Sequence, residues 1–202
     1  MISCLCVTHE RPEFMPWVKY QFDKQGRIDA ELVIVSGASG ISAGRTEAMQ
    51  RARGEFIAWF DDDDWQHPGK LELAMMVLKP NGRMVSAAGT RHAYMYSVST
   101  GKASLYESTY EPIIFNSAVY RKNSVPQNFD SSLITGEDTD WHERWLRTRP
   151  TYVTLGQPTH AWLCHGKNIT NKDTSRFFEL ANPIPFDDWE RDFLEKLKGG
   201  RL

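Results

Sequence analysis

Four consecutive aspartates, Asp61-Asp62-Asp63-Asp64, close the apolar run Glu55–Phe60. Carboxylates about 5 Å apart repel by roughly 3 kcal/mol at an effective dielectric near 20, so the run needs solvent or a cation beside it. Charge runs are commonly just solvated loops. This one stands at the carboxyl end of a strand-like segment, where parallel α/β sheets bind their ligands. Hard carboxylate oxygens suit Mg²⁺ or Mn²⁺, ions that also engage phosphates. A calcium-binding EF-hand loop is excluded. Asp61, Asp63 and Glu72 fall at its positions one, three and twelve, but Trp65 and Gln66 occupy positions five and six and Pro68 intrudes.

The elements that must position this cluster are legible as alternating apolar runs and helical stretches. Ile2–Val7 and Glu31–Val35 read as buried strands, and Glu55–Phe60 as a third. Phe14, Trp17, Val18 and Phe22 recur at helical spacing before Gly26, and a second helix is expected from about Ser42 to Arg53, stopped by Gly54. Strand and helix alternating over some sixty residues indicate an α/β fold with a mostly parallel central sheet and flanking helices. A helix over Leu71–Leu78, an antiparallel hairpin around Ser99-Thr100-Gly101-Lys102 and a strand over Ile113–Arg121 follow. Gly136 opens another helix bearing Trp141 and Trp145. Phe186, Trp189, Phe193 and Leu197 form one apolar stripe on a final helix, which must be buried on its own domain or on a second copy in a homo-oligomer.

Composition narrows the function. The 202 residues carry 24 Lys plus Arg against 26 Asp plus Glu, a net charge of -2, with no basic run; a nucleic-acid partner held by phosphate neutralisation is not expected. The apolar runs are far shorter than the roughly 20 residues of a membrane span, and no secretory leader is recognisable. Three cysteines, Cys4, Cys6 and Cys164, do not make a disulfide framework. A cytoplasmic setting is the expectation.

Five motifs in order, Val7-Thr8-His9-Glu10-Arg11-Pro12, Gly44-Arg45-Thr46, Ala52-Arg53-Gly54-Glu55-Phe56-Ile57-Ala58, Phe60-Asp61-Asp62-Asp63-Asp64 and Gly136-Glu137-Asp138, resemble a family 2 glycosyltransferase of GT-A, Rossmann-like fold. The resemblance covers roughly residues 2 to 170. It implies a single nucleotide-sugar-binding and catalytic domain over 1–170, with 171–202 as a C-terminal extension. It implies an inverting transferase that takes a sugar from a nucleotide-sugar donor, UDP-linked by family habit, to the hydroxyl of a carbohydrate or other acceptor, with Mn²⁺ or Mg²⁺ as cofactor. Thr8, His9, Glu10 and Arg11 would line the nucleotide pocket, together with Ser36, which stands where the family usually carries a base-reading aspartate. Arg45 would face the diphosphate, a bidentate partner for guanidinium. Asp61, Asp62 and Asp63 would form the Asp-x-Asp site, and Lys167 and Asn168 would reach the phosphates. Asp61, Asp63 and the late His165 would hold the metal, with His160 and Asp64 as further candidates. Glu137-Asp138 matches the motif that supplies the base; Asp138 is the choice, and Asp140 is its nearest competitor.

Trp65 and Trp141 flank the acidic motifs and are open to two readings, sugar stacking or core packing, whereas Trp59 and Trp145 read as core. Two other functions compete: a nucleotide-sugar- or carbohydrate-binding module that has lost turnover, and a Mg²⁺-dependent phosphohydrolase. The latter wants its acidic pair after the first strand, which here ends in Thr8-His9-Glu10.

Overall fold

A computed structural model describes residues 1–9, 11–108, 112–165, 178–179 and 184–200. The chain begins β1 (Ile2–Thr8), α1 (Met15–Asp23), β2 (Ala30–Ser36), α2 (Ile41–Arg51) and β3 (Phe56–Trp59). It continues through β4 (Asp64–Gln66), α3 (Lys70–Leu78), β5 (Ala87–Gly89), β6 (His92–Ser97), β7 (Lys102–Glu107) and β8 (Val119–Arg121). Then come α4 (Glu137–Arg147), β9 (Tyr152–Thr154), β10 (His160–Cys164), β11 (Phe178–Glu179) and α5 (Asp188–Lys198).

Six strands form the central sheet in the order β2-β1-β3-β8-β5-β9. The parallel core is centred on β1, where Cys4 pairs with Leu32 on one side and Ala58 on the other. β8 runs antiparallel to both its neighbours, and β9 returns parallel to β5. The mostly parallel α/β sheet expected from the sequence is therefore present. Both faces are covered, and the side-chain alternation of β3 divides them: Ile57 and Trp59 enter a cluster with α2 and α4, while Phe56 and Ala58 enter another with α3.

A second sheet, β11-β7-β6-β10-β4, grows from the anticipated hairpin, β6 and β7. Its importance is β4. The chain leaves the central sheet after Trp59 and enters the second sheet at Asp64, so the four aspartates span the seam between the sheets. One expectation needs correction: Ile113–Arg121 is not one strand. Phe115–Ser117 is a 3-10 turn, held because the Ser117 hydroxyl donates to the carbonyls of Ile114 and Thr90. The turn delivers Asn116 to the acidic loop.

Most of the apolar stripe near the C-terminus is covered by its own chain, with Trp189 36% exposed. Phe186, Phe193 and Leu197 pack with Phe14, Trp17 and Trp65, and Trp189 stacks on Tyr20 at 4.1 Å. A second copy is not required to bury Phe186, Phe193 and Leu197. Asp187 caps α5 in a capping box with Glu190, whose carboxylate is fully buried. Among the described residues no helix is long and apolar enough to cross a membrane.

Candidate active site

A pocket of about 540 Å³ opens at the carboxyl edge of the central sheet, walled by Arg11, Arg45, Asp61–Asp64 and the first turn of α4. The acidic run is not a solvated loop. Asp62 and Asp64 are almost wholly buried, and each aspartate meets a cation or donor from elsewhere in the chain. Asp61 lies 3.3 Å from Arg45 Nη2 and accepts from Asn116 Nδ2 at 2.7 Å. Arg11 forks across the next two, Nη2 to Asp62 at 2.5 Å and Nη1 to Asp63 at 2.8 Å. Asp63 also lies 3.4 Å from His165 Nε2, and Asp64 lies 3.2 Å from His160 Nε2.

These partners push the carboxyls apart in acidity. Burial, followed by the charge of Asp63, raises Asp62 to about 7. Burial also pushes on Asp63, but the hydrogen bond from His165 and the charge of Arg11 outweigh it and bring it down to about 2. Asp61 is raised by burial, against the pull of Arg45.

Arg45 owes its place to Gly44. A Cβ there would lie 2.5 Å from Val7 Cγ1, so only glycine lets α2 close onto β1 and drive the next side chain inward. The guanidinium sits 5.0 to 5.7 Å from the rings of Trp59, Phe115 and Phe129. Its Nε is 3.5 Å from Glu137 Oε1. Nη1 has no hydrogen-bond acceptor, and Nε has only that carboxylate, at ion-pair distance, although Arg45 is only 4% exposed. Buried donors of a charged group are normally paired; these N–H groups lie on the wall of the pocket.

The opposite wall is the start of α4. Gly136 takes φ +76°, a left-handed conformation suited to glycine, and the preceding loop is pinned to α2 where Ser42 Oγ donates to the Leu133 carbonyl at 3.0 Å. Glu137 turns inward toward Arg45, and burial raises its pKa against that arginine's pull. Asp138 faces the pocket, its Oδ1 accepting from the Thr139 amide at 2.7 Å. Asp140 is tied to Arg144 at 2.8 Å and does not line the pocket.

Of the residues expected at the site, the structure gathers Arg11, Arg45, Asp61, Asp62, Asp63, Glu137 and Asp138, with His165 against Asp63. Thr8 is buried at the end of β1. His9 and Ser36 are exposed and lie outside the pocket lining. Glu10, Lys167 and Asn168 fall outside the described residues. The sugar-stacking reading of Trp65 and Trp141 is overturned: both are fully buried, like Trp59 and Trp145, Trp65 in the core below the second sheet and Trp141 against Phe129.

The sequence profile described as Glycosyl transferase family 2 matches residues 24–145, more than half of the chain. The chain belongs to glycosyl transferase family 2. No curated protein sequence matches it. Among solved structures, residues 1–349 of S. aureus TarS superpose with a TM-score of 0.60 at 14% identity, over 80% of this chain and 60% of that one. The mannosyltransferase PcManGT from Pyrobaculum calidifontis, solved with GDP-Man and Mn²⁺, gives 0.55 at 11% identity, over 79% and 56%. At such identities the likeness is one of fold, that of GT-A glycosyltransferases, and this chain spans about three fifths of those structures.

For a family 2 glycosyltransferase the donor set can be tested against a divalent cation. Adjacent ligands of an octahedral Mg²⁺ or Mn²⁺ stand about 3 Å apart. Asp63 Oδ2 and His165 Nε2, 3.4 Å apart, fit two such positions with a hard oxygen and an imidazole. Asp61 is held away from this pair by Arg45 and Asn116, and among the described residues no group of three or more His, Cys, Asp or Glu is arranged to hold a metal. The set fits an ion completed by phosphate and water, not an all-protein cage.

Two residues escaped the sequence reading. Asn116 bridges Asp61 and Asp64, at 2.7 and 3.5 Å; the polar pair Asn116-Ser117 within Ile113–Val119 was the available signal. Lys70, fully buried, donates to the carbonyls of Trp59 and Asn116 and to Gln66 Oε1. It ties the end of β3 to both segments that frame the aspartates. Burial lowers its pKa to about 7.

Proposed function

We propose that this family 2 glycosyltransferase moves a sugar from a nucleotide-sugar donor to an acceptor hydroxyl with inversion, assisted by Mn²⁺ or Mg²⁺. The observation that carries the reading is the single pocket wall-to-wall between the aspartate loop and Asp138. Arg11, Arg45 and the aspartates stand on one side, and Glu137 and Asp138 at the start of α4 on the other. Supporting it, structures of TarS carry UDP and UDP-GlcNAc, and that of PcManGT carries GDP-Man with Mn²⁺. A UDP-sugar is therefore the first donor to test and GDP-Man the second.

In this reading residues 1–170 are the catalytic domain. Arg45 and the fork of Arg11 receive the diphosphate, and Asp61 orients the donor's ribose. Asp63 and His165 hold the cation, which when bound neutralises charge on the departing phosphate. Asp138 takes the proton of the acceptor hydroxyl as that oxygen bonds to the anomeric carbon. The bond from that carbon to the phosphate oxygen breaks on the far face, and nucleoside diphosphate leaves. Glu137 is turned away by its pairing with Arg45.

Asp138→Asn keeps the shape of the side chain and removes the base. Transfer should fall by roughly 10²–10⁴-fold, with nucleoside-diphosphate affinity by calorimetry unchanged. Wild-type product should carry the inverted anomer by NMR. Transfer by the variant within threefold of wild type, or a retained anomer, would overturn the assignment. Donor binding with Mn²⁺ but no transfer or hydrolysis by the wild type would favour a binding module.

A further inference from the structure

We propose that Arg11 is the resident counter-ion of the cation site, releasing Asp63 to a divalent metal only when a diphosphate arrives to take its guanidinium. The inference rests on the donor and metal reading above and adds to it an order of events. The fork of Arg11 spends one nitrogen on each carboxylate, Nη2 on Asp62 Oδ1 and Nη1 on Asp63 Oδ2. It is partly withdrawn from water: its side chain is 16% exposed and lies over the Phe14 ring at 5.5 Å. The oxygen that Nη1 occupies, Asp63 Oδ2, is the same one that faces His165 Nε2. A guanidinium and a divalent cation on that one oxygen repel each other. Metal entering alone is therefore opposed by Nη1.

The pocket supplies the reason for Nη1 to move. Arg11 forms part of its wall, and the buried Arg45, whose Nη1 has no hydrogen-bond acceptor, stands on the same wall, an independent sign that an anion belongs there. Phosphate oxygens pair with a guanidinium as strongly as a carboxylate does, and in the same bidentate geometry. Asp62, 1% exposed, keeps Nη2 and acts as a tether, so only half of the fork has to turn. The diphosphate then draws Nη1 away from Asp63 and itself completes the coordination of the incoming ion. Metal and diphosphate reinforce each other's binding, and by linkage each strengthens the other equally.

The test is Mn²⁺ binding followed by the loss of the free-ion EPR signal, for wild type, Arg11→Gln and Arg11→Lys, with and without UDP, and with circular dichroism to verify folding. Without UDP, Arg11→Gln should bind Mn²⁺ at least tenfold more tightly than wild type, and UDP should enhance Mn²⁺ binding at least tenfold less in the variant. Arg11→Lys, which keeps the charge and loses the fork, should fall between the two, and it carries the test should Arg11→Gln not fold. If UDP promotes Mn²⁺ binding in wild type while neither variant binds the ion alone more tightly, the exchange is overturned and the metal site stands. If no protein binds Mn²⁺ in either condition, the metal site itself fails and the exchange with it.

Discussion

Replacing Glu190 by alanine should cost this protein much of its stability, although Glu190 lies far along the chain from the aspartates. Its buried carboxylate accepts from Gln21 Nε2 at 2.9 Å, Lys24 Nζ at 2.7 Å, Trp65 Nε1 at 2.9 Å and the Asp187 amide at 2.7 Å. Gln21 and Trp65 are buried and would keep donors with no acceptor, at about 1–3 kcal/mol each. Half of the capping box adds about 1 kcal/mol. Lys24 loses little, since Asp187 remains 3.0 Å away. About 4 kcal/mol is thus expected, against a total of roughly 5–15 for a typical domain, and a fall in Tm of about 10 °C for a chain of this size. Differential scanning calorimetry reads it directly. A fall below about 3 °C would show that water or a rearranged side chain satisfies these donors, and that the docking of α5 does not depend on the Glu190 hub.

Two further outcomes follow from the loop's supports. Asn116→Ala removes the donor 2.7 Å from Asp61 and should weaken UDP binding about tenfold, one charge-assisted hydrogen bond, measured by calorimetry; unchanged affinity would relieve Asn116 of that role. Lys70 is held at about 7 by burial, below the value near 10.4 of an unfolded chain, so between these values the unfolded state binds more protons and stability rises with pH. The stability of wild type relative to Lys70→Met, from urea midpoints, should therefore climb from pH 7 to pH 10, and a flat difference would mean that Lys70 stays charged throughout.

What the sequence disclosed follows from what periodicity encodes. Apolar runs such as Ile2–Val7 mark strands buried on both faces, and the run of aspartates ends one of them, so the sheet and the edge that bears the site were legible. Spacing along the chain does not encode which aspartate meets which cation. Arg45 reads as a phosphate ligand or a surface residue; in the structure it is a buried bridge between Asp61 and Glu137. Trp65 was ambiguous because alternation across the short β4 is set by pairing with β10, a partner about a hundred residues away. Ile113–Arg121 has the composition of a strand, and only the tertiary bonds of Ser117 turn it into a 3-10 segment.

The pairing pattern also explains how four adjacent carboxylates persist at a strand end with two of them buried. Arg11 comes from the end of β1, Arg45 from α2, Asn116 from the turn before β8, and His160 and His165 from β10 and its end. These segments bring at least one positive or donor group to every carboxylate of the run, so repulsion within it is answered by attraction between elements. The acidic loop thereby fastens the two sheets together while remaining on the pocket wall. Because Arg11 serves two aspartates and Arg45 serves Asp61 and Glu137, substitutions at these positions must be non-additive. Removing Arg45 acts on Asp61 and, through Glu137, on the turn that presents Asp138. On the proposed function, the arrangement would couple the place that receives a diphosphate to the place where the acceptor's proton is taken, through one buried side chain.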